Sequence, residues 1–179
     1  ELKTIGISTL SGKKIWHDIS INRINDESRG DYLGEFSADD KILVISSSGC
    51  YELLSYDLST HFPEDILLIE KYSPNKSILI IYFYGPKKQF YIKRFIPEVK
   101  TKKIYCIDQT KDSYLELVTS EEACSLELQF IKPRNKEARP NLIMNPIDFI
   151  SIKGVLALGN QLSKHPIKTV SLFKLFSNL

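Results

Sequence analysis

Long hydrophobic runs are missing from this 179-residue chain. A helical membrane span needs roughly 18 uninterrupted apolar residues. Charged and polar residues break every apolar stretch here well before that length, which excludes such a span. Glu1-Leu2-Lys3-Thr4-Ile5-Gly6 has no basic segment followed by an apolar one, so no secretory signal is expected. The same segment lacks an initiator Met, and a piece of a longer protein is expected. Cysteine is scarce as well: Cys50, Cys106 and Cys124 are odd in number, widely spaced and free of any Cys-x-x-Cys pair. That excludes a disulfide framework and a zinc site of the usual spacing, and predicts reduced, buried thiols in a cytoplasmic protein with no bound metal.

Catalytic templates are missing too. Gly154-Val155-Leu156-Ala157-Leu158-Gly159 has the glycine spacing of a phosphate-binding loop, but Asn160-Gln161 stands where Lys and Ser or Thr would contact phosphate and Mg²⁺. Neither a Gly-x-Ser-x-Gly elbow nor a His-Glu-x-x-His pair occurs. His17, His61 and His165 are far apart in sequence, which points to structural or surface roles. Asp39-Asp40 and Glu121-Glu122 are adjacent acids, and neighbours on a strand point to opposite faces. No acid pair suited to glycoside cleavage is evident, which disfavours a carbohydrate enzyme.

Short β-type segments fill the chain instead. They run from 14 to 17, 42 to 46, 51 to 54, 66 to 72, 77 to 84, 90 to 96, 103 to 107, 114 to 119, 125 to 131 and 149 to 152. All are rich in Ile, Val, Tyr and Phe and are punctuated by Gly, Pro, Asn, Asp and Ser. Ser125 to Phe130 alternates apolar and polar residues, predicting one buried and one wet face, whereas Ile66 to Ile69 and Ile78 to Ile81 are apolar on both faces. Residues 23 to 30 and 132 to 141 read as exposed loops. Strands at about ten-residue spacing predict an antiparallel sandwich, barrel or propeller. A degenerate cycle of strand and turn predicts about three four-stranded blades, too few to close a ring, approximately 1–64, 65–120 and 121–179 of a single domain.

The formal net charge of +2 is too small to announce a nucleic-acid partner, but its distribution is uneven. From Lys87 to Lys103, seven Lys and Arg residues face one acid, Glu98. In Phe90-Tyr91-Ile92-Lys93-Arg94-Phe95, alternation puts Tyr91, Lys93 and Phe95 on one face and Phe90, Ile92 and Arg94 on the other. Two readings stay open for this strand: cationic heads reaching out to phosphates, or a solvated edge strand guarded by Lys against aggregation.

Six motifs resemble one family in order and spacing: Gly12-Lys13-Lys14-Ile15-Trp16, Arg29-Gly30-Asp31-Tyr32-Leu33-Gly34-Glu35-Phe36, Asp57-Leu58-Ser59-Thr60-His61-Phe62, Ile69-Glu70-Lys71-Tyr72-Ser73-Pro74-Asn75-Lys76, Tyr91-Ile92-Lys93-Arg94-Phe95 and Ile152-Lys153-Gly154. Together they are similar to the C-terminal region of the gyrase A-like family of bacterial topoisomerase IV, Bacteroidetes type, from about Leu2 to Leu172. The resemblance implies an all-β fold, a β-pinwheel whose blades exchange strands, here as an open arc. It implies a basic outer rim that binds and bends double-stranded DNA without sequence specificity. The Gln-Arg-Arg-Gly-Gly-Lys-Gly box with which gyrase wraps DNA is absent, Ser28-Arg29-Gly30-Asp31 and Asn160-Gln161-Leu162-Ser163 being distant echoes. Decatenation and relaxation are therefore favoured over strong wrapping.

No Tyr follows an Arg, as the cleavage Tyr of the family's DNA gate would. The resemblance thus implies a non-catalytic part without cofactors, belonging to an isomerase that uses ATP and Mg²⁺ through other domains. Its expected partners are DNA, the remaining domains of the gyrase A-like polypeptide, and the separate ATPase polypeptide (the B component) of the heterotetramer. Its expected location is the cytoplasm, at the nucleoid. Local charge density ranks Lys87, Lys88, Lys93, Arg94, Lys100, Lys102 and Lys103 first as DNA contacts, then Lys132, Arg134, Lys136, Arg139, Lys153 and Lys164. The alternative is a protein-interaction propeller that docks a partner through its acidic N-terminal third or basic middle.

Overall fold

A computed structural model describes residues 12–174 of the chain. The expected blades 1–64 and 121–179 thus begin and end outside the described residues. Four small antiparallel sheets make up the described part, and none closes into a barrel.

The first sheet joins β1 (Lys13–Asp18), β2 (Arg23–Asn25) and β3 (Asp31–Phe36) in the order β2-β1-β3. The second, β6-β4-β5-β9, uses β4 (Ile42–Ser46), β5 (Cys50–Leu54), β6 (Ile66–Lys71) and β9 (Ile104–Tyr105). The third, β10-β7-β8-β13, uses β7 (Ile78–Tyr84), β8 (Gln89–Phe95), β10 (Tyr114–Thr119) and β13 (Asn160–Gln161). The fourth, β12-β11-β14, uses β11 (Cys124–Phe130), β12 (Leu142–Met144) and β14 (Ile167–Lys174).

One topology repeats in all four. Two consecutive strands form a hairpin, and the next strand of the sheet returns to pair with the outer side of the first: β3 on β1, β6 on β4, β10 on β7 and β14 on β11. These returning strands lie side by side, β3 against β6 and β6 against β10. On the opposite edge the sheets exchange strands. β9 leaves the third sheet between β8 and β10 to pair with β5, and β13 leaves the fourth between β12 and β14 to pair with β8. A side-chain version of the same exchange joins the first two sheets. The connection between β5 and β6 lies against the β1–β2 turn, where Asn22 Nδ2 donates to the carbonyls of Phe62 (3.3 Å) and Pro63 (2.8 Å).

This arrangement differs from about three blades. β6 pairs with β4, so residues 66–71 complete the second sheet instead of opening a new one. β2 lies in the expected loop 23–30, with Ile24 and Asn25 buried. The buried Asn25 side chain is satisfied locally: it donates to Arg29 O and accepts from the N–H groups of Glu27 and Arg29. The expected strand 149–152 is replaced by a one-turn helix, α1 (Pro146–Phe149), followed by irregular chain. Pro146 suits the first helical turn and the Asn145 side chain caps it, accepting from the Ile147 N–H. The loop 132–141 is without regular structure, as expected.

The core forms three layers between successive sheets, because alternate residues of a central strand face opposite ways. Ile42 and Val44 pack with Ile15, Ile24 and Phe36 of the first sheet, while Leu43 and Ile45 pack with Ile78, Ile80 and Tyr82 of the third. Leu79, Ile81 and Ile92 turn the other way, onto Leu126 and Leu128 of the fourth. Ile78 to Ile81 is therefore covered on both faces, as its composition predicts. Ile66 to Ile69 is not, because β6 is an edge strand and Leu67 is exposed.

Candidate nucleic-acid interface

The strand β8 keeps the expected alternation and reverses its expected consequence. Tyr91, Lys93 and Phe95 share a face, but that face lies in the layer between the second and third sheets. Lys93 is only 2% exposed. Its ammonium donates to the carbonyls of Val155 (2.7 Å) and Cys106 and sits over the rings of Tyr82 and Phe95. Burial pushes its pKa down. A cation held there reaches no external phosphate, so Lys93 belongs to the core and not to a binding rim.

The same clamp explains the glycine-spaced segment 154–159. The Val155 carbonyl receives Lys93, and the Leu158 carbonyl receives the Tyr82 hydroxyl. Gly159 adopts φ +86°, and a Cβ there would lie 2.3 Å from Ile92 O. The glycine lets the backbone turn flat against β8 and enter β13. The segment thus serves strand exchange, and phosphate binding has no part in it. The Cys106 carbonyl follows β9, so the Lys93 ammonium ties together the segments that flank both exchanged strands.

The other two candidate chemistries are also structural. Cys50, Cys106 and Cys124 are free and buried, and burial pushes the Cys106 thiol up to about 12. His17 is buried against Asn22 and Phe62, whereas His61 and His165 are exposed. Among the described residues no cluster of three or more His, Cys, Asp or Glu side chains could hold a metal ion, and no helix is long and apolar enough to cross a membrane.

Several remaining cations of the sequence-ranked set are already engaged. Arg94 is largely covered, donates from Nε to Ser77 Oγ at 2.9 Å and pairs with Glu122 at 3.6 Å. Lys100 pairs with Glu98 and Lys103 with Glu52, each at 3.4 Å, and the Glu52 carboxylate raises the pKa of Lys103. Lys153 is half-buried and donates to Asn160 Oδ1 at 2.8 Å. Lys87, Lys88, Lys102, Lys132, Arg134, Lys136, Arg139 and Lys164 are exposed and have no carboxylate partner among the described residues.

The fold relates these eight in a way that charge density alone does not. Lys87 and Lys88 form the β7–β8 turn, and Lys132, Arg134, Lys136 and Arg139 lie in the β11–β12 connection, the equivalent hairpin turn of the next sheet. The equivalent turns of the first and second sheets, residues 19–22 and 47–49, contain no Lys or Arg. The two basic turns also adjoin. A groove of about 220 Å³ is lined by Lys88 and Gln89 on one side and by Ile131, Ser163 and His165 on the other. Lys132 and Lys164 are the immediate sequence neighbours of that second wall. Lys102 stands apart, just before β9 on the outer edge of the second sheet.

The first and second sheets are richer in acids than in cations, and although Lys14, Arg23 and Lys41 are exposed without a carboxylate partner among the described residues, several cations there are paired. Lys13 pairs with Asp26 (2.9 Å), Arg29 with Glu27 (3.1 Å), Lys71 with Asp40 (2.8 Å) and Lys76 with Glu70 (3.0 Å). The Lys13 and Lys71 ammonium groups hold the carboxyls of Asp26 and Asp40 below the usual carboxylate range.

Comparison with known proteins agrees with the motifs. The family model described as topoisomerase C-terminal domain, Bacteroidota, matches residues 23–174, which leaves out the Gly12 to Trp16 motif but includes the other five. No curated protein and no solved structure matches the chain. A match over that span, on an all-β frame, places the chain in the Bacteroidota topoisomerase C-terminal domain family.

Proposed function

We propose that this domain binds double-stranded DNA without sequence specificity and bends it along the third and fourth sheets, guiding a DNA segment to a topoisomerase active site in another part of the enzyme. The observation that carries the reading is the concentration of exposed, carboxylate-free cations on the third and fourth sheets, six of them in the equivalent hairpin turns, in a chain of a topoisomerase family. Lys87, Lys88, Lys132, Arg134, Lys136, Arg139 and Lys164 form the main contact surface. Lys102, with the partly neutralised Lys100 and Lys103, extends it along the outer edge of the second sheet. Arg94 and Lys153 support the fold more than the rim.

Binding by such a surface is chiefly counterion release, with a log–log salt slope of about −0.9 per neutralised phosphate. Sequence enters only through the ease of bending. The exchange of β9 and β13 between sheets supports a β-pinwheel, and contacts spread over two sheets favour a bent duplex. Without a gyrase-type box the domain serves decatenation and relaxation in a cytoplasmic type IIA enzyme. ATP and Mg²⁺ are used elsewhere in that enzyme. Its protein partners are the other domains of the gyrase A-like polypeptide and the separate ATPase polypeptide.

A second reading, a protein-docking domain, draws on the first two sheets. There Ile19, Ile21 and Leu67 are exposed beside Asp31 and Glu64. A mobility-shift titration of random duplex at two salt concentrations separates the two. Affinity that falls steeply with salt supports DNA guidance, and no shift at either concentration leaves only the docking reading.

A further inference from the structure

The groove between the two basic turns is built, not incidental. One wall is the β7–β8 turn, where Lys88 is held in the left-handed region (φ +51°) and its N–H bonds to Gly85 O. The other wall belongs to the fourth sheet and is fastened by backbone hydrogen bonds. Leu162 N donates to Phe90 O at 2.8 Å and Ile131 N to Pro166 O at 2.9 Å. The turn between them is closed by its own side chains: His165 N donates to Ser163 Oγ and Gln161 Nε2 to Ser163 O. Phe83, Phe90 and Ile167 supply apolar lining, while Lys88, Gln89, Ser163 and His165 supply the polar and cationic groups.

An apolar lining beneath a cationic rim suits a ligand that is part apolar ring and part anion. A volume of about 220 Å³ is roughly that of seven water molecules, enough for one small group of this kind. Resting on the DNA-guiding reading, we infer that this groove seats one sugar–phosphate unit of a duplex strand, with the deoxyribose against Phe83 and Phe90 and the phosphate among Lys88, Lys164 and Ser163. Because the walls come from different sheets, a filled seat ties the DNA to the angle between the third and fourth sheets. The binding surface thereby gains a fixed register, which loose surface lysines do not provide.

The test uses the 179-residue chain and random duplex DNA in a salt-titrated binding assay, with folding of every variant checked by thermal melting. Lys88→Gln with Lys164→Gln is expected to weaken binding about tenfold and to flatten the salt slope by about one phosphate's worth. Ser163→Phe fills the groove while leaving every charge in place, and the seat requires a comparable loss and flattening. Lys14→Gln with Lys41→Gln, exposed positions on the first and second sheets, is expected to leave binding within twofold. Inorganic phosphate at matched ionic strength is expected to compete no better than chloride. Wild-type behaviour of either Ser163→Phe or the Lys88/Lys164 pair, or selective displacement by inorganic phosphate, overturns the seat while the DNA reading stands. Absence of salt-dependent duplex binding by the unaltered chain overturns the DNA reading itself.

Discussion

In the first and second sheets Lys13, Arg29, Lys71 and Lys76 each lie within 3.1 Å of a carboxylate, whereas the hairpin turns of the third and fourth sheets present Lys87, Lys88, Lys132, Arg134, Lys136 and Arg139 without one. The strand plan is the same in both halves. What differs is the residues placed on equivalent turns, so one architecture yields an acid-rich half, in which Lys14, Arg23 and Lys41 stay unpaired but scattered, and a half whose hairpin turns cluster cations for an external anion. Exposed ion pairs contribute little to stability. Their consequence here is the field: acids in the first half cancel the cations close to them and leave a positive potential in the second half only.

The largest effect that sharpens this contrast comes from reversing Lys87, Lys88 and Lys132 to Glu. Duplex affinity in about 0.1 M salt is expected to fall on the order of 100-fold, with a flatter salt dependence. The same mobility-shift measurement on a Lys13, Lys14 and Lys41 triple reversal is expected to show a change of a few-fold at most, arising from net charge alone. Equal losses in the two triples would erase the distinction between the halves.

Next in size is Gly159→Ala, which attacks the junction between the third and fourth sheets. The substituted residue must hold φ +86° with its Cβ against the Ile92 carbonyl. A loss of about 3 kcal/mol is expected in urea unfolding, from left-handed strain together with the clash. Weaker DNA binding in the still-folded fraction would show that the basic face depends on the exchange of β13.

Lys93→Met is expected to cost about 2 kcal/mol at neutral pH. It strips a donor from two buried carbonyls, and the removal of a desolvated ammonium offsets part of that loss. Its pH dependence is diagnostic. The folded pKa of Lys93 is lowered, so between that value and about 10.5 the unfolded chain binds more protons and this side chain's contribution to stability rises with pH. Cys106 works the other way: its thiol is raised from 9.0 to about 12, and its contribution is lost as pH climbs through that window. The difference in stability between wild type and Lys93→Met should therefore widen from pH 7 to pH 10. A difference independent of pH would place the ammonium in water.

The smallest effect belongs to the acid-rich half. Asp40→Asn removes the Lys71 partner and is expected to cost about 0.5 kcal/mol at pH 7. Because Asp40 titrates below the usual carboxylate range, this contribution is present above about pH 4 and disappears as pH falls through the lowered value. Urea midpoints at pH 7 and pH 2.5 would show it, and a cost that persists in acid would assign the effect to packing.

Most strands were legible because the signal is local. Ile42 to Ser46 and Tyr114 to Thr119 coincide with β4 and β10, and the apolar run Ile78 to Ile81 marks the strand covered on both faces. β2, β12 and β13 escaped because each has two or three residues and is held by pairing to a longer neighbour, a relation that periodicity does not carry. The longer β3 and β14 escaped too: Gly34 interrupts β3, and Lys168, Thr169 and Ser171 dilute the apolar run of β14, so both are fixed by pairing to β1 and β11. The candidate basic face was legible in part. Charge density found Lys87, Lys88 and the 132–139 loop, but ranked Lys93 and Arg94 beside them, since a buried Lys and an exposed one have the same letter. Topological equivalence of the two basic turns, and the groove that joins Lys88 to Ser163 and His165, had no linear signal.

Composition and pattern alone determined an all-β chain with reduced cysteines, an uneven charge and the motifs of its family, because each depends on residue identity or on spacing within a few positions. Tertiary structure decided the number of sheets, the exchange of β9 and β13, and which cations face solvent. Those depend on contacts between residues far apart in the chain, such as Lys93 with Val155 or Phe90 with Leu162, where desolvation and hydrogen bonding outweigh local preference.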